Sequence, residues 1–195
     1  MSPSMFVPTM IGRYEIKGRI GGGGMGTLYL ARDTNPTTER LVALKLLRAS
    51  FDSDDLRQRF AREAQALAEL NHPNIVVIYD SGEYQDSPFM VMEYVRGETL
   101  AESIKRRAPM PLGQKLGLLA ELCAGLAHAH ESGIIHRDIK PANLMVDVHG
   151  RLKILDFGIA RVVDPGMTRV QALTRLNVQI GTPGYMSPEQ IEGGE

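Results

Sequence analysis

Over its first half the chain alternates apolar and polar residues in short runs, and over much of the remainder apolar residues return every three or four positions. Strands are therefore expected first and helices later. Tyr14-Glu15-Ile16-Lys17 and Thr27-Leu28-Tyr29-Leu30-Ala31 bracket a glycine run and predict the two arms of a hairpin. Residues 41–47 predict a third strand beyond the Asn35-Pro36 turn, and residues 75–79 and 89–93 predict two more. One helix interrupts them. Ser53-Asp54-Asp55 opens it, Leu56, Phe60, Ala64 and Leu67 form its apolar face, and Asn71-His72-Pro73 ends it. Residues 99–107 and 113–132 predict further helices, the second with a buried stripe of Leu116, Leu119, Leu122, Cys123, Leu126, Ala129 and His130.

Together these elements predict an α+β fold in two lobes: a five-stranded antiparallel sheet with one helix, then the first part of a mainly helical lobe. Residues 1–12, with two prolines and little periodicity, are expected to be a flexible lead-in. Residues 13–95 form the first lobe and residues 96–195 the beginning of the second. The crevice between them is a natural nucleotide site.

Composition narrows the function classes. The 195 residues can bury a real core, and 43% hydrophobic with 23% charged residues is near the globular average. A formal net charge of −1 offers no electrostatic footprint for nucleic acid or an anionic membrane, so neither partner is expected. No apolar run approaches the roughly eighteen residues of a membrane span, and residues 1–10 lack a signal-peptide pattern; a cytoplasmic location is expected for this portion. Cys123 is the single cysteine, which excludes a disulfide framework and a zinc–thiolate cluster. It is expected to be a small buried apolar residue.

The chemistry concentrates in His136-Arg137-Asp138-Ile139-Lys140-Pro141-Ala142-Asn143 and Asp156-Phe157-Gly158. Two carboxylates and an amide on neighbouring short segments are what phosphoryl transfer requires. Asp138 would take or orient the proton of an attacking hydroxyl, Asn143 and Asp156 would hold Mg²⁺, and Lys140 would reach the transferred phosphate as a point charge. Upstream lies Gly21-x-Gly23-x-x-Gly26. In a dinucleotide fold such a motif opens a helix, whereas here β-rich sequence follows and no suitable acidic residue ends a second parallel strand, so that reading fails.

With Val42-Ala43-Leu44-Lys45, Glu63, Met92-Glu93-Tyr94-Val95 and Gly181-Thr182-x-x-Tyr185-x-Ser187-Pro188-Glu189 in the same order, the chain resembles the protein kinase superfamily, in particular its bacterial, eukaryotic-like serine/threonine branch. The resemblance covers residues 13–195. It implies ATP and Mg²⁺ as cofactors and protein serine or threonine hydroxyls as acceptors. Gly21, Gly23 and Gly26 would fold backbone amides over the phosphates, with Gly22 and Gly24 making that lid more mobile. Lys45 would pair with the α- and β-phosphates while Glu63, by its spacing alone an ordinary solvated helix glutamate, would hold the Lys45 ammonium. Adenine would lie between Leu28 and Ala43 above and Met145 below, with Met92 at the back and the Glu93 carbonyl and Val95 amide reading its edge. Leu28 stands where the family motif has valine.

The resemblance also places His136 under the Asp156-Phe157-Gly158 turn, and His128 and His130 are expected to pack within their helix. Arg137 implies regulation by phosphorylation of residues 156–189, with Thr174 the first candidate and Thr168 the second. Thr182 would hydrogen-bond Asp138 and Lys140 and favour serine or threonine as acceptor. Autophosphorylation in trans would use a homodimer. Kinase catalytic domains continue past the Ser187-Pro188-Glu189 motif, so a truncated domain is expected, with Glu189 lacking its arginine partner and apolar surface exposed. Related receptor-type kinases carry a membrane helix farther on. The competing expectation is a pseudokinase or inactive fragment that acts as a nucleotide-binding or scaffolding module.

Overall fold

A computed structural model describes residues 8–23, 26–48, 54–157, 183–185 and 187–188. Its larger sheet has six antiparallel strands: β1 (Met10–Ile11), β2 (Tyr14–Gly23), β3 (Gly26–Asp33), β4 (Arg40–Leu47), β5 (Ile78–Tyr84) and β6 (Ser87–Glu93). Their spatial order is β1-β2-β3-β4-β6-β5. The additional strand is β1, inside the expected lead-in. Ile11 is fully buried beside Tyr14, so this short segment pairs along the sheet edge (Ile11 with Tyr14, Met10 with Glu15).

Alternation along β4 builds two cores. Val42 and Leu44 join Tyr14, Tyr29, Ala31, Phe89 and Val91 on one face of the sheet. Ala43 and Leu47 join Met90 and Met92 on the other, where α1 (Asp54–Ala68) packs through Phe60, Ala64 and Leu67. Successive strand residues point to opposite faces, so a strand covered on both sides reads as a continuous apolar run. Asp54 and Asp55 occupy the first turn of α1, where carboxylates face the helix amides favourably. Between β5 and β6, Gln85 and Asp86 both have positive φ, as a two-residue hairpin turn of matching twist requires.

The expected strand at residues 75–79 splits. Ile75 makes a parallel bridge to Ile154, with the Ile154 amide donating to the Asn74 carbonyl at 2.8 Å and the Val76 amide to the Ile154 carbonyl at 3.0 Å. These backbone groups serve the lower lobe, so β5 begins only at Ile78.

Below the sheet lie β7 (Gly97–Thr99), α2 (Leu100–Lys105), α3 (Leu112–Glu131), a short 3₁₀ turn (Pro141–Asn143), β8 (Leu144–Asp147) and β9 (Leu152–Ile154). Thr99 and Glu102 form a reciprocal capping box at the start of α2. α3 buries Leu118, Gly125 and Ala129 and half-buries Leu122 and Leu126. The expected stripe is corrected here: Leu116 is 57% and Leu119 55% exposed, and Cys123 and His130 are exposed as well. Two apolar stripes about 100° apart run along this helix, and only packing against β9 and the α1–β5 link selects the one through Leu118. The α1-side core is continuous into this lobe through Leu118, Leu144, Leu152, Ile154 and Phe157.

Candidate active site

Strand register brings the upper half of the site together. Gly21 faces Leu28 and Gly23 faces Gly26 across the hairpin; Leu28 faces Lys45, and Ala43 faces Met92. Gly26 cannot be another residue without strain, because its φ is +154° and a β-carbon there would overlap the Leu46 carbonyl. Leu28 and Val95 pack against the core that contains Ala43 and Met92. Met145 lies on β8 opposite Thr99 and Lys153, outside that set.

The lower half is built on two loops that exchange hydrogen bonds. Asn143 is buried; its Nδ2 donates to the Asp138 carbonyl at 2.8 Å, and its own carbonyl accepts the Leu155 amide at 2.9 Å. The Nδ2 bond fixes the amide so that Oδ1 is the acceptor remaining. Lys140 Nζ lies 3.0 Å from Asp138 Oδ2, placing the cation and the carboxylate at one point. Arg137 and Asp156 have φ of 62° and 53°, a region that non-glycine residues enter at a cost and that recurs in functional loops.

His136 joins the loops. Its Nδ1 accepts the Asp138 amide at 3.1 Å, which requires the tautomer whose Nε2–H donates to the Leu155 carbonyl at 2.8 Å. The ring packs on Phe157 at 4.6 Å between centroids. Burial outweighs the Leu155 hydrogen bond and the nearby Asp138 and Asp156 charges and pushes the imidazole pKa down. His136 is thus a neutral strut under the Asp156 turn, as expected.

Across the crevice, Lys45 Nζ on β4 meets Asp156 Oδ2 at 2.7 Å. The expected Lys45–Glu63 pair is not formed. α1 turns Phe60, Ala64 and Leu67 inward, which leaves Glu63 exposed, and the Lys45 ammonium is satisfied by Asp156 instead. Leu67, Leu70, Ile75, Val76, Ile78 and Met92 line a cavity of about 10 Å³ beside Asp156 and Phe157, in the space between that helix and the turn.

Asn143 Oδ1 and the Asp156 carboxylate are hard oxygen donors of the kind Mg²⁺ takes when substrate phosphates and water supply the rest. Among the described residues no group of three or more His, Cys, Asp or Glu is placed to hold a metal ion. The donor set fits. Thr168, Thr174 and Thr182 lie outside the described residues.

The sequence reading missed the buried polar network behind the crevice. Lys153 Nζ on β9 donates to Glu93 Oε2 at 2.8 Å, and the Asn74 side chain donates to the Leu152 carbonyl at 2.9 Å and to Glu121 Oε2 at 3.3 Å. Asn74 lies between the expected helix end and the next strand, and Lys153 in a segment given no element; their polarity beside apolar residues was the available signal.

Comparison with known proteins agrees with this geometry. The protein kinase domain pattern matches residues 14–195. The serine/threonine-protein kinase PrkC of Bacillus subtilis is 44% identical over 184 residues, 94% of this chain and 27% of that protein. The serine/threonine-protein kinase PknB of Mycobacterium leprae is 44% identical over 191 residues, 95% of this chain and 30% of that protein. The chain therefore spans under a third of the length of these relatives. The solved kinase domain of Mycobacterium tuberculosis PknI superposes with a TM-score of 0.72 at 28% identity, covering 98% of this chain and 70% of that one. Matched in sequence over nearly its whole length and in the arrangement of its lobes, this chain belongs to the protein kinase domain family.

Proposed function

We propose that the protein is an ATP- and Mg²⁺-dependent serine/threonine kinase that transfers the γ-phosphate of ATP to serine or threonine hydroxyls of proteins. The observation that carries this reading is the convergence of Lys45 from the upper sheet with Asp156 from the lower lobe. A nucleotide entering with Mg²⁺ would supply new counter-charges to both, its phosphates to the Lys45 ammonium and the metal ion to the Asp156 carboxylate. Gly21, Gly23 and Gly26 would cover the phosphates, and Leu28, Ala43, Met92, Glu93, Val95 and Met145 would hold the adenine. Asn143 and Asp156 would hold Mg²⁺, which neutralises phosphate charge as it moves toward the leaving oxygen.

The acceptor hydroxyl would lie against Asp138. Asp138 would take its proton as the oxygen–phosphorus bond forms and the bond to the leaving ADP oxygen breaks, with Lys140 toward the transferred group and Thr182 assigned to the acceptor side from sequence alone. The Lys45–Asp156 contact describes a resting arrangement. In the working one, α1 brings Glu63 to the Lys45 ammonium, and phosphorylation of Thr174 or Thr168, bound by Arg137 and delivered in trans by a second copy, would favour it.

A nucleotide-binding scaffold without transfer is the second reading. It is favoured by one observation: the phosphate-binding cation is spent on the metal-binding carboxylate. Transfer of labelled γ-phosphate from ATP to a protein acceptor, measured beside Asp138→Asn, separates the two. Loss of about 10²–10⁴-fold in kcat with nucleotide binding retained is expected for Asp138→Asn. Binding without transfer by the unaltered protein would leave the scaffold reading. For the metal assignment, Asp156→Asn is expected to abolish turnover and keep the folded circular-dichroism spectrum; undiminished turnover contradicts it.

A further inference from the structure

We infer that His72 and His128 form an acid-sensitive clasp that positions β9, and with it the Asp156 turn, through Asn74. The two imidazoles stack with centroids 5.2 Å apart and planes 27° from parallel. His72 belongs to the link between α1 and β5, and His128 to the last turns of α3, so the stack spans two elements from different lobes. Neither residue belongs to the proposed catalytic set.

The His72 ring also anchors a backbone turn. Its Nδ1 accepts the Asn74 amide at 3.1 Å, which a protonated ring could not do. Asn74 is 7% exposed and is committed on three sides: its carbonyl to the Ile154 amide at 2.8 Å, and its side-chain amide to the Leu152 carbonyl and to Glu121 Oε2. The same Glu121 oxygen accepts the Leu152 amide at 2.6 Å. Ile154 stands two residues before Asp156. Whatever displaces Asn74 therefore displaces the strand that leads to Asp156.

Four charged or titratable groups bear on His72. His128 faces it from α3. Lys153 approaches from β9 and is itself paired with Glu93 of β6. Glu121 of α3 reaches the same turn through Asn74. Burial first, then the like charges of His128 and Lys153, hold the His72 pKa below the ordinary histidine range. A proton on His72 withdraws the acceptor from Asn74 and sets a cation beside Lys153 and against the His128 ring. The clasp opens at that step.

Amide exchange of Ile154, corrected for intrinsic rates, reads the clasp directly in this chain at about pH 7 and about pH 4.5, the lower value set well beneath the ordinary histidine range because His72 is held below it. His72→Asn supplies a side-chain oxygen to the amide two residues on and does not titrate, whereas His72→Ala supplies none. The unaltered protein is expected to lose protection several-fold in acid, His72→Asn to keep it, and His72→Ala to lack it at both values. His136 titrates alike in all three. Equal acid loss in the unaltered protein and His72→Asn overturns the inference, as does no loss in either.

The consequence for the crevice rests on the kinase reading. Affinity for a fluorescent methylanthraniloyl ATP analogue with Mg²⁺ is expected to fall in acid with Ile154 protection, and to fall less in His72→Asn. The expected exchange pattern without nucleotide binding at any pH would sustain the clasp and remove the kinase reading instead.

Discussion

His136 occupies the centre of the lower site as a neutral ring with both nitrogens engaged. The folded protein resists the proton that the unfolded chain accepts at about pH 6.5, so the unfolded state binds more protons as acid is added. The stabilising contribution is full above about pH 6.5 and is lost as pH falls below it, toward the depressed folded value. Urea midpoints at about pH 7.5 and about pH 5.5 test this: the unaltered protein should lose more stability in acid than His136→Gln. An equal loss would assign the acid response elsewhere. At this scale the sequence was most legible in the grouping of Asp138, Lys140 and Asn143, whose contacts form between residues within one short loop. Glu63 was legible as a member of its motif and not in its position, since the side chain's partner depends on how α1 sits on the sheet.

Among the elements, α3 carries the sharpest lesson about packing. Gly117 and Gly125 look alike in sequence, both within one apolar helix. A β-carbon on Gly117 would meet nothing within 4 Å, whereas one on Gly125 would come 2.7 Å from Ile154 Cδ1. Helix propensity favours alanine over glycine by roughly 0.5–1 kcal/mol, and overpacking a closed core costs about 1–3 kcal/mol. Gly117→Ala should therefore stabilise by about 0.5–1 kcal/mol. Gly125→Ala should destabilise by up to about 2 kcal/mol, because the Ile154 Cδ1 methyl, part of a fully buried side chain, must be displaced within the core. Chemical denaturation of the pair checks both signs at once. Helix existence was readable from the three- and four-residue recurrence of leucine; its orientation was not, since Leu116 and Leu119 fit that recurrence as well as Leu118 and Leu122 do.

At the scale of the molecule, the lobes are joined by a shared core and by ion pairs between distant segments. Lys153 and Glu93 are 12% and 26% exposed, and they tie the end of β6 to β9. Lys153→Met would leave a largely buried carboxylate short of its charged partner, at a cost of about 1–3 kcal/mol. A lowered denaturation midpoint, restored in part by Lys153→Met combined with Glu93→Gln, is the expected outcome. An additive double variant would show that the two side chains do not cooperate.

What the amino-acid order determined by itself was local: alternation for the strands, helical recurrence for α1 to α3, glycines where a hairpin approaches another strand, and short polar motifs whose residue types suit one chemistry. These features act over a few residues, so periodicity and side-chain type encode them. Tertiary structure decided what depends on distant partners. It chose which stripe of α3 faces the core, drew Ile75 out of β5 to pair with Ile154, and gave the Lys45 ammonium to Asp156 while Glu63 stayed in solvent. Each is a competition between partners brought together from opposite lobes, and a side chain's nearest counter-charge or closest-packed neighbour exists only once both lobes have folded against one another.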